Sequence, residues 1–551
     1  MALHRITFSL VLFFLCLNIT GHTQITPALE ERLDHLLQDL FSPDGPGGVA
    51  LVSKENQVVY TKAFGKANLE LDVPMEVDHI FRIGSISKQF TACAILRLAE
   101  QGKLSLSDDI TQYIDDYPTH GHTITIEQLL THTSGIKSYT GLGKWTAEER
   151  KRDFTPKEMI DYFKNEPMDF APGEDFRYNN SAYFILGYII EKLSGKTYAA
   201  YLQDEFFDPL ELTNTSYGST RRIIKNRAAG YQKEGDEYQN ADFLSMSQPY
   251  AAGSLLSTVE DINTWYQSVF DDMVLTSDTR KNAHTPFKLN NGQPVEYGHG
   301  WFISNIQGSP VIQHGGGING YLTASLMLPE EDIFVAVFSN CNCNAPGTTA
   351  FKMAAELIGK PYEWTPIEMS PQALAEYSGI YASEEGEERT ISLEGDNIYS
   401  MRSGGARYQI IPFAKDEFYF ENSLSTLEFH RNEAGEIESV TSHSTGFPVH
   451  WKLTDKAVVQ RVEIEVSKED LPKYVGKYQL NPRLIIQVYI EDDQLYAKAT
   501  GQETVRLRGY EENKFFISEE DVLIIFNEQE NGVVDDLTLI QNGEYSAPRI
   551  E

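Results

Sequence analysis

Cysteine is scarce in this chain, with four among 551 residues, and one of them, Cys16, lies inside an apolar N-terminal run. The other three, Cys93, Cys341 and Cys343, are an odd number that cannot all pair within one chain, so no disulfide framework is implied. Cys341-Asn-Cys343 has no second ligand pair at metal-site spacing and reads as two small strand-end residues, while Cys93 reads as core. No metal and no cofactor are expected. Basic charge is also in short supply. Forty-six Lys and Arg stand against eighty Asp and Glu, a formal net charge of −34, and no basic stripe interrupts the excess. A polyanionic partner would be repelled, which argues against nucleic acid. A disorder signature is missing too, since 41% hydrophobic and 23% charged residues describe an ordinary globular chain.

At this length two to four domains are expected. The chain starts with His4 and Arg5, continues as an apolar run from Ile6 to Leu17, and turns polar from Asn18 to Gln24. That order reads as a secretory signal peptide over residues 1–23, and the run is too short for a comfortable membrane span. The bulky Phe13-Phe14-Leu15 before Cys16 does not fit a small-residue lipidation site. A secreted or periplasmic protein with no stable membrane anchor is expected.

What is present is a serine three residues before a lysine at the start of a helix, in Phe81-Arg-Ile-Gly-Ser-Ile-Ser-Lys-Gln-Phe-Thr91. Gly84 supplies a turn, and the apolar run to Gly102 reads as a buried helix with a glycine stop. Ser85 and Lys88 would share one face, the hydroxyl at the helix mouth and the amine one turn on, able to withdraw its proton. Chance alone gives roughly two Ser-x-x-Lys matches in a chain this long. Ser134-Gly-Ile-Lys137 is one, but its glycine and the preceding Thr131-His-Thr mark a loop.

Residues 47–67 read as two strands of a hairpin beside a sheet, and residues 137–167 as an insertion over a cleft, with Trp145 and a charged helix from Thr155 to Lys164. Two further constellations lie downstream. In Ala171-Pro-Gly-Glu-Asp-Phe-Arg-Tyr-Asn-Asn-Ser181, a Pro-Gly turn puts Tyr178 and Asn180 just ahead of an apolar helix. Beyond it, Ser257 or Thr258 reads as a helix N-cap, with Asp261 completing a capping box. In residues 311–328, Gly315, Gly316 and Gly317 come after His314 within strand-like alternation, where glycines mark close approach of another chain or a ligand.

Ser85-Ile-Ser-Lys88, Tyr178-Asn-Asn180 and His314-Gly-Gly316, with Leu130-Thr-His-Thr-Ser-Gly135 and Ala252-Gly-Ser-Leu-Leu-Ser257 between them, resemble the serine β-lactamase and penicillin-binding protein superfamily over about residues 28 to 360. Within it the resemblance is greatest to the class C-like branch of D,D-peptidases, D-aminopeptidases and esterases. The resemblance implies an α/β catalytic domain, an antiparallel sheet flanked by helices beside an all-helical region. It also implies Ser85 as acylated nucleophile, Lys88 and Tyr178 exchanging its proton, and either of them as the base. Asn180, His314, Gly315, Gly316 and Gly317 would bind substrate, and the backbone N–H groups of Ser85 and Gly317 would form an oxyanion hole. His314 stands where the family usually has lysine, which offers a substrate carboxylate less fixed charge. The implied function is an exported serine hydrolase of a short peptide, D-amino-acid amide or ester; a β-lactamase and a non-enzymatic penicillin-binding sensor are the alternatives.

The C-terminal third contains an internal repeat. Leu374-Ala-Glu-Tyr-Ser-Gly-Ile-Tyr381 matches Leu471-Pro-Lys-Tyr-Val-Gly-Lys-Tyr478, and the offset of 97 residues also pairs Phe418 with Phe515, Phe429 with Phe526 and Gly446 with Gly543. Each copy reads as short alternating strands, so two small antiparallel β-barrel domains are expected, at 370–455 and 466–551, after a catalytic domain at 24–365. The arrangement resembles the lipocalin-like domains of D-aminopeptidases.

Overall fold

The computed structural model describes residues 25–550 except 385, 422, 460, 482, 483, 530 and 542. The expected signal peptide lies outside the described residues. The chain divides into two compact units. One runs to Ile303 and resumes over Ser309–Lys360; the other comprises Ser304–Gly308 and the chain from Pro361 onward.

The first unit is built on a six-stranded sheet, one strand of which, Phe302–Ile306, passes from the first unit into the Ser304–Gly308 segment of the second. Its strands are β1 (Gly48–Lys54), β2 (Gln57–Phe64), β3 (Phe302–Ile306), β4 (Ser309–Ile318), β5 (Tyr321–Leu328) and β6 (Ile333–Ser339), ordered β3-β4-β5-β6-β1-β2. The pairs β1–β2, β1–β6, β4–β5 and β5–β6 are antiparallel. All seven residues of β6 are buried, as a strand covered on both faces must be. Phe334, Ala336 and Phe338 join the main core with Phe90 and Trp265, while Val335 and Val337 on the alternate face are equally buried.

Five helices position the site or its surroundings: α1 (Ser87–Glu100), α2 (Ile126–Leu130), α3 (Pro156–Phe163), α4 (Asn180–Ser194) and α5 (Val259–Phe270). Helix α1 is buried at eleven of its first twelve positions, so it runs through the interior with hardly any solvent face. Gly102, in left-handed backbone (φ +68°), ends it as the glycine stop predicts. Helix α3 carries a closed capping box from Thr155 and Glu158. Helix α5 departs from the expected box. Thr258 caps Asp261 N–H, but the Asp261 carboxylate instead accepts from Asn214 N–H and the Thr215 hydroxyl, fastening a loop that local sequence does not reveal.

Cys341 and Cys343 are not merely small strand-end residues. The tight turn after β6 brings them to a Cα separation of 5.1 Å and they form a disulfide, leaving Cys93 as the buried free thiol among the described residues.

In the second unit both repeat copies form eight-stranded antiparallel sheets. The first, from Gly379–Ala382 to Val449–Leu453, closes into a barrel through Tyr381↔Leu453 and Ala382↔Lys452. The second, from Gly476–Asn481 to Glu544–Pro548, is barrel-like, its ends meeting among the described residues at the bridge Tyr478↔Arg549 and at the Ile550 N–H bond to Lys477 O. Its last strand has lost one residue relative to the first. Val440 pairs with Trp451, and the equivalent Leu537 pairs with Ala547, an offset of 96 instead of 97.

The copies share their core to the level of hydrogen bonds. The Tyr381 hydroxyl donates to Tyr377 O at 2.7 Å, and the Tyr478 hydroxyl to Tyr474 O at 2.9 Å. Tyr377 packs edge-on against Phe418 and Phe429; Tyr474 packs edge-on against Phe515 and at a tilt against Phe526. One ion pair is reversed in sign: Glu376–Arg431 in the first copy is Lys473–Glu528 in the second, at the same two positions. Phe429→Ala and Phe526→Ala should therefore each cost about 3–5 kcal/mol in the urea transition of the second unit. A markedly smaller loss in either would show that its ring cluster does not bear on that fold.

Candidate active site

Ser85 does not sit on the α-helix itself. It occupies a 3₁₀ turn, Gly84–Ile86, that feeds α1, so Lys88 is the second residue of the α-helix. The turn lies unusually close to β4. A Cβ on Gly84 would stand 2.9 Å from Gly317 N, and one on Gly316 would stand 1.9 Å from Ile83 O. Side chains at either position would push the nucleophile turn off the strand, so the glycine run exists because two backbones meet there. Thr323 on β5 stitches the contact from below, its hydroxyl donating to Ile83 O at 3.0 Å.

Lys88 is fully buried and has no carboxylate partner among the described residues. Its Nζ lies 3.1 Å from Ser85 Oγ, 2.9 Å from Asn180 Oδ1 and 2.7 Å from Ala252 O. Desolvation pushes its pKa well below the usual lysine range. The rings of Tyr178 and Tyr183 lie 4.7 and 5.5 Å away. Two carbonyl oxygens and one hydroxyl surround the amine, and desolvation favours the neutral form, which keeps a lone pair for the serine proton.

Tyr178 sits just ahead of α4, where Asn179 is the N-cap and Asn180 the first helical residue rather than a turn residue. Its hydroxyl is buried without a hydrogen bond of good geometry, and burial pushes its pKa up while Ser85 offsets part of the rise. His132, from the Leu130–Gly135 segment, holds it in place. Arg177 N–H donates to the His132 carbonyl at 3.0 Å and Asn179 N–H to His132 Nδ1 at 3.1 Å, while the two rings pack at 4.3 Å. Asn180 Nδ2 donates to the Thr140 hydroxyl, and its backbone N–H to the Ser138 hydroxyl.

His314 is placed differently from a substrate-facing cation. It is 1% exposed, its Nδ1–H donates to Gly315 O at 2.6 Å, and its Nε2 takes the Tyr297 hydroxyl at 3.1 Å. Burial, and then the neighbouring Lys88, hold its pKa at about 3, so the ring is neutral. The cleft over Ser85, about 110 Å³, is lined by Tyr139, Thr140, Trp145, Asn180, Ala252 and Gly317 among others, and His314, Gly315 and Gly316 are not part of that lining. Tyr139, Thr140, Ser138 and the Ala252 carbonyl carry no motif of their own, although Trp145 and the Ala252 segment mark their neighbourhoods in the sequence. Nor is β4 an edge strand as a whole. β3 has five residues against ten in β4, too few to pair along its whole length. No group of three or more His, Cys, Asp or Glu clusters as a metal site among the described residues.

The beta-lactamase family model matches residues 29–357. The chain belongs to the beta-lactamase family. A second model, a domain of unknown function (DUF3471), matches residues 460–547, the second eight-stranded sheet. Within the family, penicillin-binding protein 4* of Bacillus subtilis is 26% identical over 427 residues, covering 72% of this chain and 94% of that protein. Protein flp of Staphylococcus aureus (strain N315) is 27% identical over 330 residues, 58% of this chain and 65% of its own. Among solved structures, the octameric penicillin-binding protein homologue from Pyrococcus abyssi matches at TM-score 0.55 and 24% identity over 87% of this chain and 98% of that one. A D-stereospecific amidohydrolase from Streptomyces sp. matches at TM-score 0.53 and 25% identity, covering 60% and 99%.

Neutral buried histidines carry a pH signature. His314 and His284 are both held at about 3, and His132 well below its usual range. The unfolded chain takes up these protons near pH 6.5. Between there and about pH 3 it binds more protons than the folded chain, so stability falls as pH drops through that window. His314→Gln should flatten the pH dependence of unfolding free energy by up to about 1.4 kcal/mol per pH unit. An unchanged slope between pH 6 and 4 would contradict a neutral His314.

Proposed function

We propose that this chain is an exported serine hydrolase that works through an acyl-enzyme at Ser85 on a short peptide, D-amino-acid amide or ester. The observation that carries the reading is the 3.1 Å approach of Lys88 Nζ to Ser85 Oγ, with the amine buried and unpaired by any carboxylate among the described residues. A neutral amine takes the serine proton as Oγ attacks the carbonyl, and the new ammonium is held by Asn180 Oδ1 and Ala252 O. The carbonyl oxygen turns toward the N–H groups of Ser85 and Gly317, both on the cleft wall. Tyr178 gives its hydroxyl proton to the leaving group and is reprotonated by the Lys88 ammonium, which restores the neutral amine, and water releases the acyl chain by the reverse path. Similarity to the Streptomyces amidohydrolase supports an amide or ester substrate.

A β-lactamase is the second reading, supported by the family match. The buried neutral His314 weighs against it, because a β-lactam carboxylate finds no fixed cation there.

A fluorophosphonate or penicillin probe should label Ser85, and Ser85→Ala should lose labelling and turnover on a panel of esters and D-amino-acid amides. Lys88→Met should lower kcat about 10²–10⁴-fold. Full turnover in Ser85→Ala would end the proposal. Nitrocefin should be hydrolysed weakly or not at all; rapid turnover would favour the lactamase reading. Because Lys88 must be neutral, kcat/KM should rise with pH on the acid side and level off well below the ordinary lysine pKa of about 10.4. A profile still climbing at pH 10 would show that Lys88 is not the base.

A further inference from the structure

The rim of the first barrel holds two arginines where the fold does not need them. Arg389 and Arg402 are direct partners in the ladder between strands Glu388–Glu394 and Asn397–Arg402. Like charges placed directly opposite each other destabilise a sheet. Arg402 is exposed, but Arg389 is 4% exposed. One of its guanidinium N–H groups donates to Ser400 Oγ at 2.7 Å, its Nε has no acceptor, and no carboxylate among the described residues pairs with it. Both guanidiniums lie over the indole of Trp451, at 4.8 and 5.3 Å from a ring centroid. Stacking favours the cations by about 0.5–2 kcal/mol each. It uses the face of a guanidinium, however, and leaves the N–H groups along its edge still seeking acceptors.

The second repeat copy acts as an internal control. The same ladder position there is Ile486 paired with Ala499, Ala497 replaces Ser400, and Ala547 occupies the Trp451 position. An apolar rim therefore satisfies this architecture. The first copy instead keeps a buried cation with no ion-pair partner among the described residues, beside a second cation, in a protein whose net charge is −34. Burying a charge without a partner is costly, and a matching anion removes that cost.

We infer that the Arg389–Arg402–Trp451 rim of the first barrel is a binding site for a small oxyanion, a carboxylate or a phosphate. The anion accepts from the unused guanidinium N–H groups and the indole supports both cations from beneath. The site is independent of the chemistry proposed at Ser85.

The full chain, titrated with sodium acetate and with inorganic phosphate at constant ionic strength, provides the test. Wild type should show a saturable change in tryptophan fluorescence and a rise in the unfolding temperature of the second unit. A response to acetate alone would identify a carboxylate site, to phosphate alone a phosphate site, and to both a general oxyanion site. Arg389→Ile, which copies the second repeat, should abolish the response and be no less stable than wild type without anion. Arg402→Ala, at an exposed position, should weaken binding about tenfold, as loss of one charge-assisted contact does. No saturable response in wild type, or an unchanged response in Arg389→Ile, overturns the inference. Should Arg389→Ile fail to fold, an unchanged response in Arg402→Ala overturns it equally.

Discussion

The site in the first unit depends on keeping an amine out of water with nothing negative beside it. Had a carboxylate stood next to Lys88, the pair would be an ordinary buried ion pair and the amine would stay protonated, with no lone pair for Ser85. The chain offers carbonyl oxygens instead, from Asn180 and Ala252, which satisfy two N–H groups without demanding a full charge. The surroundings obey the same constraint. Tyr183, His132 and His314 are buried neutral groups, Tyr178 is half-buried with its hydroxyl inside, and the two histidines are harder to charge because Lys88 is near. In a protein with so large an acidic excess, the carboxylates of the described residues have been kept away from this one amine.

Burial of that kind needs close packing, which explains the glycines. The turn carrying Ser85 rests against β4 at a distance that forbids a Cβ on Gly84 or Gly316, so the two backbones pack directly on each other. The same contact brings the Ser85 and Gly317 backbones to one cleft wall. Helix α1 contributes from the other side, being buried almost along its whole length, so Lys88 is fixed by a scaffold rather than by a surface loop. Positioning a nucleophile and excluding water are here one structural feature.

Much of this was legible in the sequence, and what was hidden has physical causes. Spacing along a helix is local, so Ser85 and Lys88 could be put on one face, and the order of motifs pointed to Tyr178 and Asn180. Chain direction at a strand is not enough to say which way a side chain faces or what covers it. His314 could be placed beside the glycines, but not its burial or its bond to Tyr297, because Tyr297 belongs to a segment with no motif. The Ala252 carbonyl was invisible for another reason: backbone acceptors carry no residue identity. Asp261 looked like half of a capping box and is instead spent on Thr215, a contact 46 residues away. The disulfide escaped because an odd count of cysteines argues about totals, while pairing depends on a turn that brings two Cα atoms to 5.1 Å.

The repeat shows how far identity of pattern constrains identity of structure. Ring clusters, tyrosine hydrogen bonds and even an ion pair with its charges exchanged recur at an offset of 97, so packing and electrostatics have been preserved as relationships and not as residues. Closure has not been preserved equally. One residue lost ahead of the last strand moves Ala547 into the place of Trp451, and an alanine fills far less of the rim than an indole. The arginines of the first copy are tied to the same difference. Without the indole to stack on, a guanidinium at Ile486 would have no support, so the cationic rim and the tryptophan occur together in the first copy.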